Sequence, residues 1–175
     1  MGVGLAVVAA TLSMTQVAHA ALAPPTLPPG TGNIAAPTGQ VFLVGHAKGV
    51  QKYTCDGAKW VLPSVPQADL VDDAGKLIVT HFGGPTWQAT ADDSAVKGTV
   101  QQRALSPAAG PTIDWLLLST APADGSPTTG LLVGTKFIQR VETQGGTAPP
   151  AAACKPQTLN KVHEVPYKAD YYFYK

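Results

Sequence analysis

Three histidines lie beyond the first twenty residues, His46, His81 and His163, and their spacing decides which local chemistry the chain can support. No two of them have the close spacing of a metal-binding pair, and the two cysteines, Cys55 and Cys154, are better used elsewhere. No metal and no cofactor is therefore expected. Nucleophilic hydrolysis calls for a serine on a sharp turn beside a positioned base, and no G-x-S-x-G occurs. Glycoside hydrolysis needs two carboxylates astride the scissile bond. The candidates are Glu142, Glu164 and the pairs Asp72-Asp73 and Asp92-Asp93, and both aspartate pairs read as turn formers.

What remains is a set of polar residues inside otherwise apolar stretches: Gln51, His81, Asp114, Gln139 and Arg140. A buried polar group must be hydrogen-bonded or it costs stability. The structural reading is that these residues stitch strands together, with Arg140 pairing Asp114 or Glu142. The functional reading is a shallow ligand-binding site formed by His81, Trp87 and Arg140 near the G-G-P-T-W turn at 83–87. Trp60 and Trp87 both stand beside turns, where an exposed ring can stack on a sugar or another flat ligand, although core packing is the usual fate of tryptophan. Trp115 sits in an apolar run and belongs to the core.

These residues must be positioned by strands. From Val41 onward short extended runs alternate with turn residues at intervals of about ten, the pattern of an all-β chain. Val41 to His46 is nearly all apolar, and Gly45 or Gly49 marks a bulge or bend before Val50 to Cys55, whose inward face carries Gln51, Tyr53 and Cys55. Asp56-Gly57 turns the chain into Ala58 to Leu62. Residues 63–75 read as an irregular connection, with any helix confined to a short turn near Pro66 to Val71.

Lys76 to Phe82, Thr86 to Gln88 and Ala95 to Leu105 are the next strands. In the last of these Val96, Gly98, Val100, Gln102 and Ala104 share one face, while Lys97, Thr99, Gln101 and Arg103 form a solvated one. Ile113 to Ser119 is apolar on both faces apart from Asp114, so it is expected to be covered on both sides. Leu131 to Val133, Thr135 to Thr143, Lys161 to Val165 and Ala169 to Tyr174 complete the series; in the last, Tyr171 and Phe173 oppose Tyr172 and Tyr174. The architecture implied is all-β: a single-domain β-sandwich or an irregular, partly closed β-barrel of about eight to ten strands.

Compartment follows from composition. Residues 1–20 carry no Lys, Arg, Asp or Glu, and an apolar run from Val3 to Leu12 leads to Ala18-His19-Ala20, a signal peptide with cleavage near Ala20. It lacks a basic n-region, which leaves room for a start codon upstream of Met1. Residues 21–40 hold five prolines and no charge and read as a proline-rich arm leading into the domain at 41–175. Export into an oxidising compartment makes a Cys55–Cys154 disulfide the expected state. In the chain-entropy model a loop of that length contributes up to about 4 to 5 kcal/mol.

Charged residues make up 13% of the chain and the formal net charge is +1, which provides no basic footprint for nucleic acid. No apolar run after the signal reaches the length of a membrane span. There is no Asn-x-Ser/Thr acceptor and no cysteine directly after the signal for lipidation, so the protein is expected to be secreted, extracellular, periplasmic or held at the cell surface by contacts alone. Gly2-Val3-Gly4 has no strand before it and no βαβ unit after it, which excludes a nicotinamide-dependent dehydrogenase.

Several ordered segments carry a resemblance: G-V-Q-K-Y-T-C at 49–55, Lys59-Trp60, H-F-G-G-P-T-W at 81–87, I-D-W-L-L-L at 113–118, F-I-Q-R-V-E-T-Q-G-G-T-A-P at 137–149, Cys154, and V-P-Y-K-A-D-Y-Y-F-Y at 165–174. Together they resemble a family of secreted fungal and bacterial proteins catalogued as a domain of unknown function, some fungal members of which carry a malate dehydrogenase label. Lys52 departs from the apolar residue usual at its place in that family's pattern, in keeping with an outward position. The resemblance implies export, a disulfide pair and a single domain, and it brings no activity with it. The expectation is an exported, non-enzymatic β-domain that binds an extracellular ligand or protein partner, or serves structurally at the cell surface. The alternative is a small secreted hydrolase assembled from distant strands around His81.

Overall fold

The computed structural model describes Met1 and residues 21–175, so the expected signal peptide lies outside the described residues. Eight strands follow one another: β1 (Val41–Thr54), β2 (Val65–Val71), β3 (Leu77–Phe82), β4 (Thr86–Ala89), β5 (Ala95–Ala104), β6 (Trp115–Pro122), β7 (Phe137–Gly145) and β8 (Val162–Tyr174). Each pairs antiparallel with the next, and β8 returns to β1. The result is a barrel, and its closure is complete. Closing the sheet removes the exposed edges that an open one presents to other chains. Among the described residues no helix is long and apolar enough to cross a membrane.

Alternation along the strands sends one side chain in two to the interior. Ala47, Leu70, Val79, Trp87, Val96, Leu118, Ile138, Tyr171 and Phe173 meet there, while Lys48, Asp69, Lys97, Glu142 and Lys168 are exposed. Gln51 and Tyr53 face inward as their strand pattern requires, and Cys55 is fully buried in its disulfide with Cys154. That bridge joins the β1–β2 connection to the β7–β8 connection at one end of the barrel, called the upper end below. At the lower end Leu132 plugs the interior. It sits in the β6–β7 connection, where Leu131 N–H donates to Asp92 Oδ2 (2.7 Å) and Leu132 N–H donates to Ser94 Oγ (3.0 Å). Asp92 and Ser94 thus do more than turn the chain: they fasten the plug.

The strand β6 is apolar on both faces for a physical reason. Leu116 and Leu118 point into the barrel, whereas Trp115 and Leu117 point out into a second cluster with Ala104, Val141 and Ile34. Ile34, fully buried, comes from the proline-rich stretch before the barrel. Gln139 Nε2–H donates to its carbonyl (2.6 Å), Gln139 Oε1 accepts from the Tyr174 hydroxyl, and Asn33 Nδ2–H donates to the Arg103 carbonyl (2.7 Å). Residues read from sequence as an arm are, from Leu27 to Ala36, folded against β5, β6 and β7. A single isoleucine among prolines gave too little periodicity to announce that contact.

Other elements differ from the sequence reading in instructive ways. The stretch 65–71, expected to be irregular with at most a helical turn, is strand β2. Pro66 is tolerated because pairing with β3 begins only at Ala68, so no neighbour on that side needs its missing N–H. Gly45 and Gly49 do not interrupt β1, which runs unbroken as one long strand. They face Leu70 and Ala68, against which a Cβ would press, so they serve close approach rather than bending. Residues 58–62 form no strand, only a single bridge between Cys55 and Trp60. Leu131 to Val133 is a turn rather than a strand, and Lys161 to Val165 merges with Ala169 to Tyr174 into β8.

Candidate functional site

Above the Leu132 plug the core is closed by Trp87, Leu116, Leu118 and Tyr171. A cavity of about 1000 Å³ opens at the upper end, the upper bound of what ligand pockets usually offer. Its floor and walls are inward residues of the strands: Trp87 of β4, Gly98 and Val100 of β5, Leu116 and Leu118 of β6, and Tyr171 of β8. Its rim is built by connections, namely Leu62 to Ser64 after β1, Thr112 to Asp114 before β6, and Thr147-Ala148 after β7, with Val65 and Pro66 from the start of β2. The Cys55–Cys154 bridge ties the first of these connections to the last.

His81, Trp87 and Arg140 come from β3, β4 and β7, and all three line this cavity. The His81 ring lies on the Trp87 indole with centroids 4.2 Å apart, and Tyr171 meets both rings edge-on at 5.4 and 5.7 Å. His81 Nδ1–H donates to the Thr86 carbonyl at 2.8 Å, which leaves Nε2 as an acceptor with no protein partner among the described residues. Burial pushes the imidazole pKa down to about 3, helped by the nearby Arg140 charge and opposed by the Thr86 bond. His81 is neutral at physiological pH. A His81–carboxylate contact, the arrangement that would have favoured hydrolysis, is not what the ring makes.

Arg140 pairs with Asp114, but through the main chain: Nε–H and Nη2–H both donate to the Asp114 carbonyl, at 3.1 and 2.8 Å. Its guanidinium is held in place by a neutral acceptor, so its charge is oriented without being cancelled. Beside it stands Arg103, whose Nη1 is 3.9 Å from Asp114 Oδ2. Sequence alternation places Arg103 on a solvated face with Lys97; it is exposed, but on the opposite face, at the rim of the cavity. A bulge between Val100 and Gln102 inserts one residue, so that Arg103 pairs with inward-pointing Leu116 and Gln102 with outward-pointing Leu117. Bulges re-aim side chains in this way. The signal was present in the sequence as Gln102, a polar residue at a position where the alternation demanded an apolar one.

Three residues of the lining each enclose a polar atom with no hydrogen-bond partner among the described residues: Gln51 Nε2, Trp87 Nε1 and Thr112 Oγ1. Gln51 uses its other end, Oε1, to accept from Ser64 Oγ at 2.6 Å. Trp60 lies apart from the cavity, beside His163, and donates from Nε1 to the Pro150 carbonyl at 3.2 Å. Its place is with the disulfide-linked connections. The rim segments were invisible to sequence reasoning because no local pattern marks a loop as the neighbour of a distant one.

Residues 36–175 match the family model described as "Protein of unknown function (DUF3455)", and the chain belongs to that family. No curated protein and no solved structure shows a significant match to the chain.

Proposed function

From membership in a family that carries no assigned activity, we propose that this chain is an exported, non-enzymatic binding protein that takes one small, largely apolar molecule into the upper end of its barrel. The cavity of about 1000 Å³ is the observation that carries the reading. Eight-stranded barrels have interiors either filled by side chains or wide enough for a single small ligand. Here Leu132, Trp87 and Leu118 fill the interior, and the upper mouth leaves room for a single ligand. The disulfide and the lack, among the described residues, of a membrane-crossing helix support an extracellular setting. The hydrolytic alternative around His81 has less support, since a ring held neutral and bonded to a carbonyl lacks both the basicity and the carboxylate partner of a general base.

Titration of the oxidised protein with the uncharged dye Nile red, whose emission rises in apolar surroundings, tests this reading. Saturable binding at one site is expected, lost when Val100→Trp fills the cavity. Emission that does not saturate, or that Val100→Trp leaves unchanged, would count against a cavity ligand.

A further inference from the structure

The polar groups on the cavity wall are unequal in kind. Two guanidiniums, Arg103 and Arg140, face a single carboxylate, that of Asp114. Arg140 forms no ion pair among the described residues, and the only approach of Arg103 to a carboxylate is the 3.9 Å one to Asp114. Of the nitrogens without a partner among the described residues, Gln51 Nε2 and Trp87 Nε1 are donors enclosed by the packing, and His81 Nε2 is an acceptor. The excess of positive charge selects for a negatively charged group rich in acceptors. Below that group the accessible wall is apolar, with Pro85, Val100 and Ile113 half-buried above a floor closed by Trp87, Leu116, Leu118 and Tyr171, which suits an apolar body.

We propose that the ligand is a small carboxylate with an apolar body, the body seated against Val100 and Ile113 and the carboxylate received by the free edge of Arg140 with Arg103 at the rim. This inference rests on the cavity reading above. Arg140 is suited to the task because the Asp114 carbonyl already orients its guanidinium, so little rotamer freedom is lost on binding. Arg103 is the more exposed of the two, and its share of the attraction is screened by salt.

Three probes that share one ring and differ in charge separate the two levels of inference: 2-naphthoate, 2-naphthylmethanol and 2-naphthylmethylammonium, titrated into the oxidised protein by calorimetry and by displacement of Nile red. The carboxylate is expected to bind about tenfold or more tightly than the alcohol, with the ammonium weakest. In Arg140→Gln the advantage of the acid over the alcohol should fall to about threefold or less, and raised salt should reduce it in the unaltered protein. Arg140→Gln also removes the tie to Asp114, so Arg103→Gln, which breaks no hydrogen bond of its side chain, serves as the second variant and is expected to give an intermediate loss. Equal or tighter binding of the alcohol overturns the carboxylate assignment while leaving the cavity as a binding site. If none of the three probes binds while Nile red still saturates one site, the carboxylate assignment falls and the cavity reading stands; if Nile red itself does not saturate, both fall.

Discussion

His81 lies flat on Trp87, with ring centroids 4.2 Å apart and planes 9° from parallel, on neighbouring strands whose register places the two residues directly opposite each other. The pair forms part of the cavity wall and buries a titratable ring against an indole. Both the stability of the barrel and its behaviour in acid follow in part from this contact.

In acid, the unfolded chain protonates His81 near the ordinary imidazole value, while the folded chain resists until about 3. Between those values the unfolded state binds more protons, so folding stability rises with pH and is lost as pH falls. His81→Gln should remove that part of the acid sensitivity, which is on the order of a few kcal/mol across the window. Urea unfolding of both proteins through that pH range is the measurement; equal slopes against pH would show that His81 is not the buried neutral group described.

His46 behaves in the opposite sense. On the outer face near the lower end, its Nδ1 meets Asp170 Oδ1 and its Nε2 meets Asp73 Oδ1, each at 2.8 Å, and these hydrogen bonds, that with Asp170 foremost, raise its pKa. A raised folded value means that the stabilisation is present below the ordinary histidine range and disappears as pH rises through the folded value. Asp73 is exposed, so solvent screening holds the effect to about 1 kcal/mol or less. Thermal midpoints of wild type and His46→Asn should therefore differ most in mildly acidic buffer and converge in alkaline buffer.

Space for the indole is kept by Gly98 on β5. A Cβ there would stand 2.7 Å from Trp87 Cζ3 and 2.9 Å from Leu118 Cδ2. Gly98→Ala is expected to destabilise by about 1 to 3 kcal/mol, the usual cost of overpacking, and to shift the tryptophan emission as Trp87 moves. An unchanged denaturation midpoint and spectrum would contradict the packing at this point.

The cavity rim depends on the covalent tie. Replacing both cysteines, Cys55→Ser with Cys154→Ser, removes a link between residues 99 apart in sequence. Loss of up to about 4 to 5 kcal/mol is expected on chain-entropy grounds, read from the urea midpoint. Hydrogen exchange should quicken most in the 56–64 and 146–161 connections, with the amides of β5 and β6 far less affected.

Much of this was legible in the chain because it depends on local spacing. The all-β class, the inward face of Gln51 and Tyr53, the double-sided apolar strand at Trp115 to Leu118 and the split of Tyr171 and Phe173 from Tyr172 and Tyr174 all follow from a period of two, which is a property of the backbone itself. The cysteine pair could be named because there was only one way to join two thiols. Closure of the sheet, by contrast, rests on thirteen paired positions between its first strand and its last, and no local pattern records which distant strands meet. Tertiary structure also decided what the proline-rich stretch does, since Ile34 acquires a role only when Trp115, Leu117 and Val141 are assembled outside the barrel to receive it. Arg103 is the clearest case: alternation sent it outward, and one extra residue in β5, accommodated because β6 lies alongside, turned it into the mouth of the cavity beside Arg140.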